Sequence, residues 1–230
     1  REPMAVSIKS AREIELMREA GKRLAHVHQE LEAMIAPGIS TWEIDAKGEK
    51  LIRDCGCIPN FLHYNGYPAS ICVSVNDEVV HGILRKDRYL KEGDIVSLDA
   101  GLIYKGYHSD AARTHAVGKV STEAQKLMDV TKQSFFEGIK MAKEGQHLHD
   151  ISRAIEEYVT PYGYGIVRDL VGHGIGTALH EDPQIPNYAQ KRRGVRLQAG
   201  MTLAIEPMIN AGTWQVRFLR DGWTVVTKDG

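Results

Sequence analysis

The sequence has little that would tie it to a membrane, an oxidising compartment or a polyanion. No apolar run approaches the roughly 18 residues of a membrane span. The opening stretch REPMAVSIKS has no signal-peptide core. Cysteine is scarce: Cys55, Cys57 and Cys72 are three thiols in 230 residues. An odd, sparse set excludes a disulfide-stapled scaffold and reads as reduced thiols in a cytoplasmic protein. Cys55 and Cys57 form C-x-C, but no second pair completes a zinc site. Neither charge sign dominates. The formal net charge is -1, so no overall field draws the chain to DNA or to a membrane surface. No low-complexity linker divides it. A single domain over residues 1–230 is expected, with residues 1–9 as an N-terminal extension.

What is present is a recurrence of helix and strand patterns. Ile14, Met17, Ala20, Leu24, Val27, Leu31 and Met34 fall on one helical face within residues 10–35. Pro37-Gly38 stops that helix, and Ser40 or Thr41 caps a second from Trp42 to about Asp54. Residues 70–75 and 94–103 read as strands. Ser121 opens a third helix reaching to about Lys143, and His149 to Tyr158 suggests a fourth. From Val171 onward the pattern returns to strands and glycine turns. A shift of 107 positions brings Gly38 onto Gly145, Ile44 onto Ile151, Glu49 onto Glu156, Ile52 onto Val159 and Gly56 onto Gly163. A duplicated α+β half folded about a pseudo-two-fold axis would place a cleft between the halves.

Four ionisable residues stand in apolar or glycine-rich surroundings: Asp99 in IVSLDAG, Asp110 in YHSDAA, His173 in VGHGIG and Glu206 in TLAIEP. A carboxylate buried without a partner costs several kcal/mol. Three of them with one imidazole make an oxygen-rich set suited to hard or borderline divalent ions. Lys105-Gly106 is a turn signal between strand-like runs. That turn sets Gly101 opposite Asp110, so Asp99 and Asp110 become diagonal neighbours on one face, with Val96, Leu98 and Ala100 on the other. Two carboxylates so close repel unless a cation lies between them. The glycines around His173 lack the Lys-Ser/Thr of a phosphate loop and suit a close backbone approach instead.

The segments SVNDEVVHGI, GDIVSLDAG, GYHSDAARTHAVG, LVGHGIGTALHEDPQIPNY, AGMTLAIEPMI and DGWTV together resemble the methionine aminopeptidase family of the bacterial type I class. The likeness runs almost the full length. It implies the "pita-bread" α+β fold with an internal pseudo-two-fold repeat, and removal of the N-terminal methionine from nascent proteins. It implies two divalent metal ions, of cobalt, manganese, iron, zinc or nickel. By the same resemblance Asp99 chelates one ion, His173 and Glu206 the other, and Asp110 bridges. Glu206 also shuttles a proton, His180 bonds the scissile carbonyl oxygen, and His81 contacts the scissile amide or the following residue. Tyr64, Tyr67, Cys72 and Trp223 would line the methionine pocket, with Phe61 nearby. The absence of a large insertion between His180 and Glu206 argues against the type II subclass.

The resemblance also implies a fifth ligand, a bridging Glu on a strand beyond Gly230, and the sequence stops before it. The acids after Glu206 are Asp221 and Asp229, neither in the matching motif. The expectation is then a site holding one metal, or two weakly, and a sheet with an open edge. Two other functions stay open: a non-catalytic binding protein of the same fold, and a prolidase-like or proline-specific aminopeptidase. Retention of all four candidate ligands with His81 and His180 favours the methionine enzyme. A monomer is expected. The exposed-type cluster Lys191, Arg192, Arg193 and Arg196 is a candidate contact to ribosomal RNA.

Overall fold

The computed structural model describes residues 6–61, 69–76, 78–80, 88–168, 171–211 and 218–227, with backbone alone for 78–80 and 218–219. The first helix, α1 (Ala11–Met34), starts at a reciprocal cap. The Ser10 hydroxyl accepts the Glu13 N–H, and the Glu13 carboxylate accepts the Ser10 N–H. Its buried residues Met17, Ala20, Leu24, Val27 and Leu31 follow the spacing read from sequence. Helix α2 (Thr41–Asp54) is capped by Ser40. Strands β1 (Ile58–Pro59), β2 (Ile71–Val75), β3 (Glu78–Val80), β4 (Ile95–Tyr104) and β5 (Tyr107–Ala116) follow.

The second half repeats the order. Helix α3 (Thr122–Ile139) begins at Ser121, and α4 spans Leu148–Val159. Strands β6 (Gly165–Ile166), β7 (Gly172–Gly174), β8 (Glu181–Ile185), β9 (Thr202–Ile205), β10 (Met208–Asn210), β11 (Phe218–Arg220) and β12 (Gly222–Val226) complete it. Helix α3 ends earlier than the expected Lys143. After Ile139 the hydrogen bonds tighten to three-residue spacing, with Met141 N–H to Gly138 O and Ala142 N–H to Ile139 O, and the chain turns at Gly145. The repeat read from the glycines is structural. Gly38 and Gly145 both have φ near +90° (93° and 91°), and Gly56 and Gly163 have φ of 74° and 80°. Gly56 and Gly163 lie at helix ends and Gly38 and Gly145 in the turns between helices, all in the left-handed region that favours glycine.

The main sheet runs β3-β2-β4-β5-β12-β9-β7-β8, with β1 on β4, and β11-β10-β6 forms a smaller sheet. One face of the main sheet carries the core. Helices α1 and α2 pack on Ile71, Val73, Val96, Leu98, Ala100 and Ala111 in one cluster, and α3 and α4 pack on Leu203 and Ile205 in another. Trp223 touches both clusters. Because side chains alternate along a strand, the residues between these apolar positions face the other way, into the cleft side. Strand β12 pairs with β5 through Gly222 and Trp223 and with β9 through Trp223 to Val226, so it joins the two halves. Among the described residues, no helix is long and apolar enough to cross a membrane.

Candidate metal centre

Asp99 and Asp110 are set by the β4–β5 hairpin. Lys105 and Gly106 both have positive φ (47° and 86°), the two-residue turn that matches strand twist. The register follows from that turn: Gly101 lies opposite Asp110 and Asp99 opposite Ala112. Val96, Leu98 and Ala100 fill the helix side, so the two aspartates share the cleft face as diagonal neighbours. Cys72 pairs with Asp99 across β2 and lies on that face as well.

His173 and Glu206 come from the second half. His173 pairs with Ala204 on β9, while Leu203 and Ile205 face the helices. Alternation therefore turns His173 and Glu206 toward the aspartates. The glycines that flank His173 are required by crowding. A Cβ at Gly172 would meet Ala204 O at 2.3 Å, and one at Gly174 would meet Asp182 O at 2.2 Å. The imidazole Nδ1 bonds to Gly174 O at 2.8 Å, which leaves Nε2 as the ring's remaining acceptor. Asn187 Nδ2 donates to Glu206 O at 2.8 Å. Thr224 Oγ1 bonds both the N–H and the carbonyl of Asp110 at 3.0 Å.

The donors of Asp110, His173 and Glu206 all lie within 4.8 Å of one another. His173 Nε2, Asp110 Oδ1 and Asp99 Oδ1 are buried and have no hydrogen-bond partner, although an orphaned buried polar atom costs about 1–3 kcal/mol. His173 Nε2 stands 3.9 Å from Asp110 Oδ2. Burial, and then the charges of Asp99 and Glu206, push the Asp110 carboxyl well above the usual carboxylate range. Burial and Asp99 raise Glu206 too, and the two carboxyls share a hydrogen bond. Burial lowers the His173 imidazole, keeping it neutral. Burial thus disfavours the bare charges of these acids, which a cation would offset, and His173 Nε2 keeps a lone pair without a partner. This donor set fits a divalent ion.

Asp99 already has a cation. Arg220 Nη2 lies 2.9 Å from its Oδ2. Burial opposes the charged guanidinium, but Asp99 and Glu206 outweigh it and raise its pKa. Arg220 was not among the residues singled out from sequence. It ends β11 in RFLRDGWTV, where nothing local distinguishes it from Arg217. Thr224 and Asn187 were also missed.

The remaining candidates are distributed unevenly. The His180 ring lies 4.3 Å from the His173 ring, centroid to centroid. Burial first, and then His173, lower its pKa. Phe61 packs beside a small cluster of Met17, Ile175 and Leu179. Trp223 does not join the carboxylates. It pairs with Ala111 and Ile205, so it lies on the helix side, 5.6 Å from the His28 ring and with the Arg113 guanidinium 4.8 Å away. By alternation Thr224, which bonds the Asp110 backbone, faces the cleft side instead. His81, Tyr64 and Tyr67 lie outside the described residues. Residues 191–196 are exposed, and Arg193 is paired with Asp150 at 3.0 Å.

Buried carboxylates and one imidazole, drawn from both halves of a duplicated sheet, define a hydrolytic type of divalent-metal centre. The sequence matches the model of metallopeptidase family M24 over residues 15–227, and the chain belongs to that family. It is 52% identical over 225 residues to a methionine aminopeptidase of Clostridium acetobutylicum, covering 98% of this chain and 90% of that protein. It is 52% identical over 222 residues to methionine aminopeptidase 1 of Bacillus subtilis, covering 96% and 89%. The crystal structure of methionine aminopeptidase from Rickettsia prowazekii superposes with a TM-score of 0.89 at 33% identity, covering 96% of this chain and 95% of that one.

Proposed function

We propose that the chain is a metal-dependent aminopeptidase that removes the N-terminal methionine from newly made polypeptides. The observation that carries this reading is the convergence of Asp110, His173 and Glu206 within 4.8 Å, with buried donor atoms left unpartnered. Those three residues hold one divalent ion, and Arg220 supplies the neighbouring positive charge at Asp99. The chemistry such an ion supplies is Lewis acidity, which lowers the pKa of water toward about 7.

The chain's own groups complete the reaction. Glu206, beside the ion, would take the proton given up by the attacking water and pass it to the leaving amine. His180, at the rim beside His173, donates to the scissile carbonyl oxygen as negative charge develops there. Cys72 on the cleft face offers a soft wall for a thioether, with Tyr64, Tyr67, Phe61 and His81 as further pocket candidates. The basic segment 191–196 is the surface for a ribosomal contact. Free methionine released from a Met-Ala-Ser peptide, with divalent metal present, tests the reading. The expected result is release from the free-amine peptide only. Equal cleavage of the N-acetylated peptide, or no cleavage with any of the five metals, would contradict it.

A further inference from the structure

Residues 6–9 are more than an extension ahead of the first helix. Lys9 is buried, with its side chain 4% exposed, and its Nζ lies 2.7 Å from Glu181 Oε1, itself 18% exposed. Its backbone is fixed as well: the Lys9 N–H donates to Gly200 O at 2.9 Å. The ammonium is threaded past Gly176, where a Cβ would meet Lys9 Cε at 2.7 Å and both Glu181 carboxylate oxygens at 2.9 Å. A buried lysine is costly unless paired, so its burial here depends on Glu181.

Glu181 directly follows His180. Its Oε2 accepts from Ala178 N–H at 3.3 Å and from Thr177 Oγ1 at 3.5 Å, folding segment 176–181 back on itself. Gly176 O accepts from the His108 N–H at 2.8 Å, and Ile175 and Leu179 seat the same segment on Met17 of α1. The exposed His180 thus stands beside His173 on a loop whose anchors include the Lys9–Glu181 ion pair.

We propose that Lys9 is a positioning residue for the aminopeptidase reaction: its buried ion pair with Glu181 fixes the loop that holds His180 over His173. The proposal rests on the function proposed above. Lys9 touches neither substrate nor ion. It acts by restricting where the His180 donor stands, and a misplacement of about 1 Å costs on the order of 10²-fold in rate.

The test compares Lys9→Met, Glu181→Gln, Lys9→Arg and the swap of Lys9→Glu with Glu181→Lys, in the full chain with metal added. Lys9→Met and Glu181→Gln should lower kcat for Met-Ala-Ser about 10- to 100-fold, with KM and metal content near wild type. Lys9→Arg should recover most of that loss, and the swap should exceed Lys9→Glu alone. Hydrogen exchange at amides 176–182 should quicken at least tenfold in Lys9→Met, while α3 and α4 stay protected. Unchanged kcat, a loss matched by lost metal, or Lys9→Arg no better than Lys9→Met would overturn the proposal. So would unchanged exchange. A wild-type chain that releases no methionine sinks the aminopeptidase reading instead, and the exchange experiment still decides the role of Lys9 in the loop.

Discussion

Replacing Arg220 by methionine removes the cation beside Asp99 while keeping an apolar stem of similar length. The guanidinium and carboxylate approach to 2.9 Å. With charge centres about 4 Å apart, an effective dielectric near 20 gives roughly 4 kcal/mol of attraction. Breaking a buried pair and stranding the other charge costs about 3–5 kcal/mol. In a chain of this size that is a fall in Tm of about 6–20 °C for the metal-free protein. The vacated Asp99 then becomes a ligand. Metal content after gel filtration should rise from about one ion per chain toward two, and added manganese should restore more Tm in the variant than in wild type. Melting curves with and without metal, run beside elemental analysis, measure both. An Arg220→Met chain with the metal content and metal-dependent stabilisation of wild type would refute the view that this guanidinium takes the place of a metal ion at Asp99.

Two further outcomes follow from buried or rim histidines. His28 is fully buried, bonds Ala111 O through Nε2 at 2.9 Å, and has its pKa lowered by burial to about 3. The unfolded chain protonates this group below about pH 6.5 and the folded chain does not. Stability is therefore lost as pH falls through that window, by about 2 kcal/mol at pH 5. His28→Phe should lose that much less than wild type between pH 7 and pH 5 in urea unfolding, and an equal acid loss in both would contradict the assignment. His180→Gln should keep its metal and lose about 10²–10³-fold in kcat; a loss of metal with unchanged kcat at saturating metal would remove His180 from the reaction.

Much of the site was legible because strand geometry is periodic. One turn, Lys105-Gly106, fixed the β4–β5 register, and alternation then placed Asp99 and Asp110 on one face. The left-handed glycines at 38, 56, 145 and 163 revealed the duplicated half. The failures have physical reasons too. Arg220 is a long, polar residue whose burial depends on Asp99 and Glu206, both more than ten positions away, so no local pattern marks it. Trp223, which family likeness implies for the methionine pocket, sits on the helix side of the sheet because its partners Ala111 and Ile205 do. Lys9 looked like an extension because its partner, Glu181, is 172 positions distant. The end of α3 was misjudged because apolar spacing continued past Ile139 while the hydrogen bonding had already tightened.

Asp110, His173 and Glu206 are proposed to hold the ion on which methionine removal depends. The most direct measurement takes wild type and His173→Ala side by side, titrates each with manganese after chelation, and follows bound metal and methionine release together. Wild-type release should rise in step with the tightly bound ion. In His173→Ala, both should fall by at least tenfold at limiting metal. A His173→Ala chain that binds the ion as tightly and releases methionine as fast as wild type would contradict that proposal.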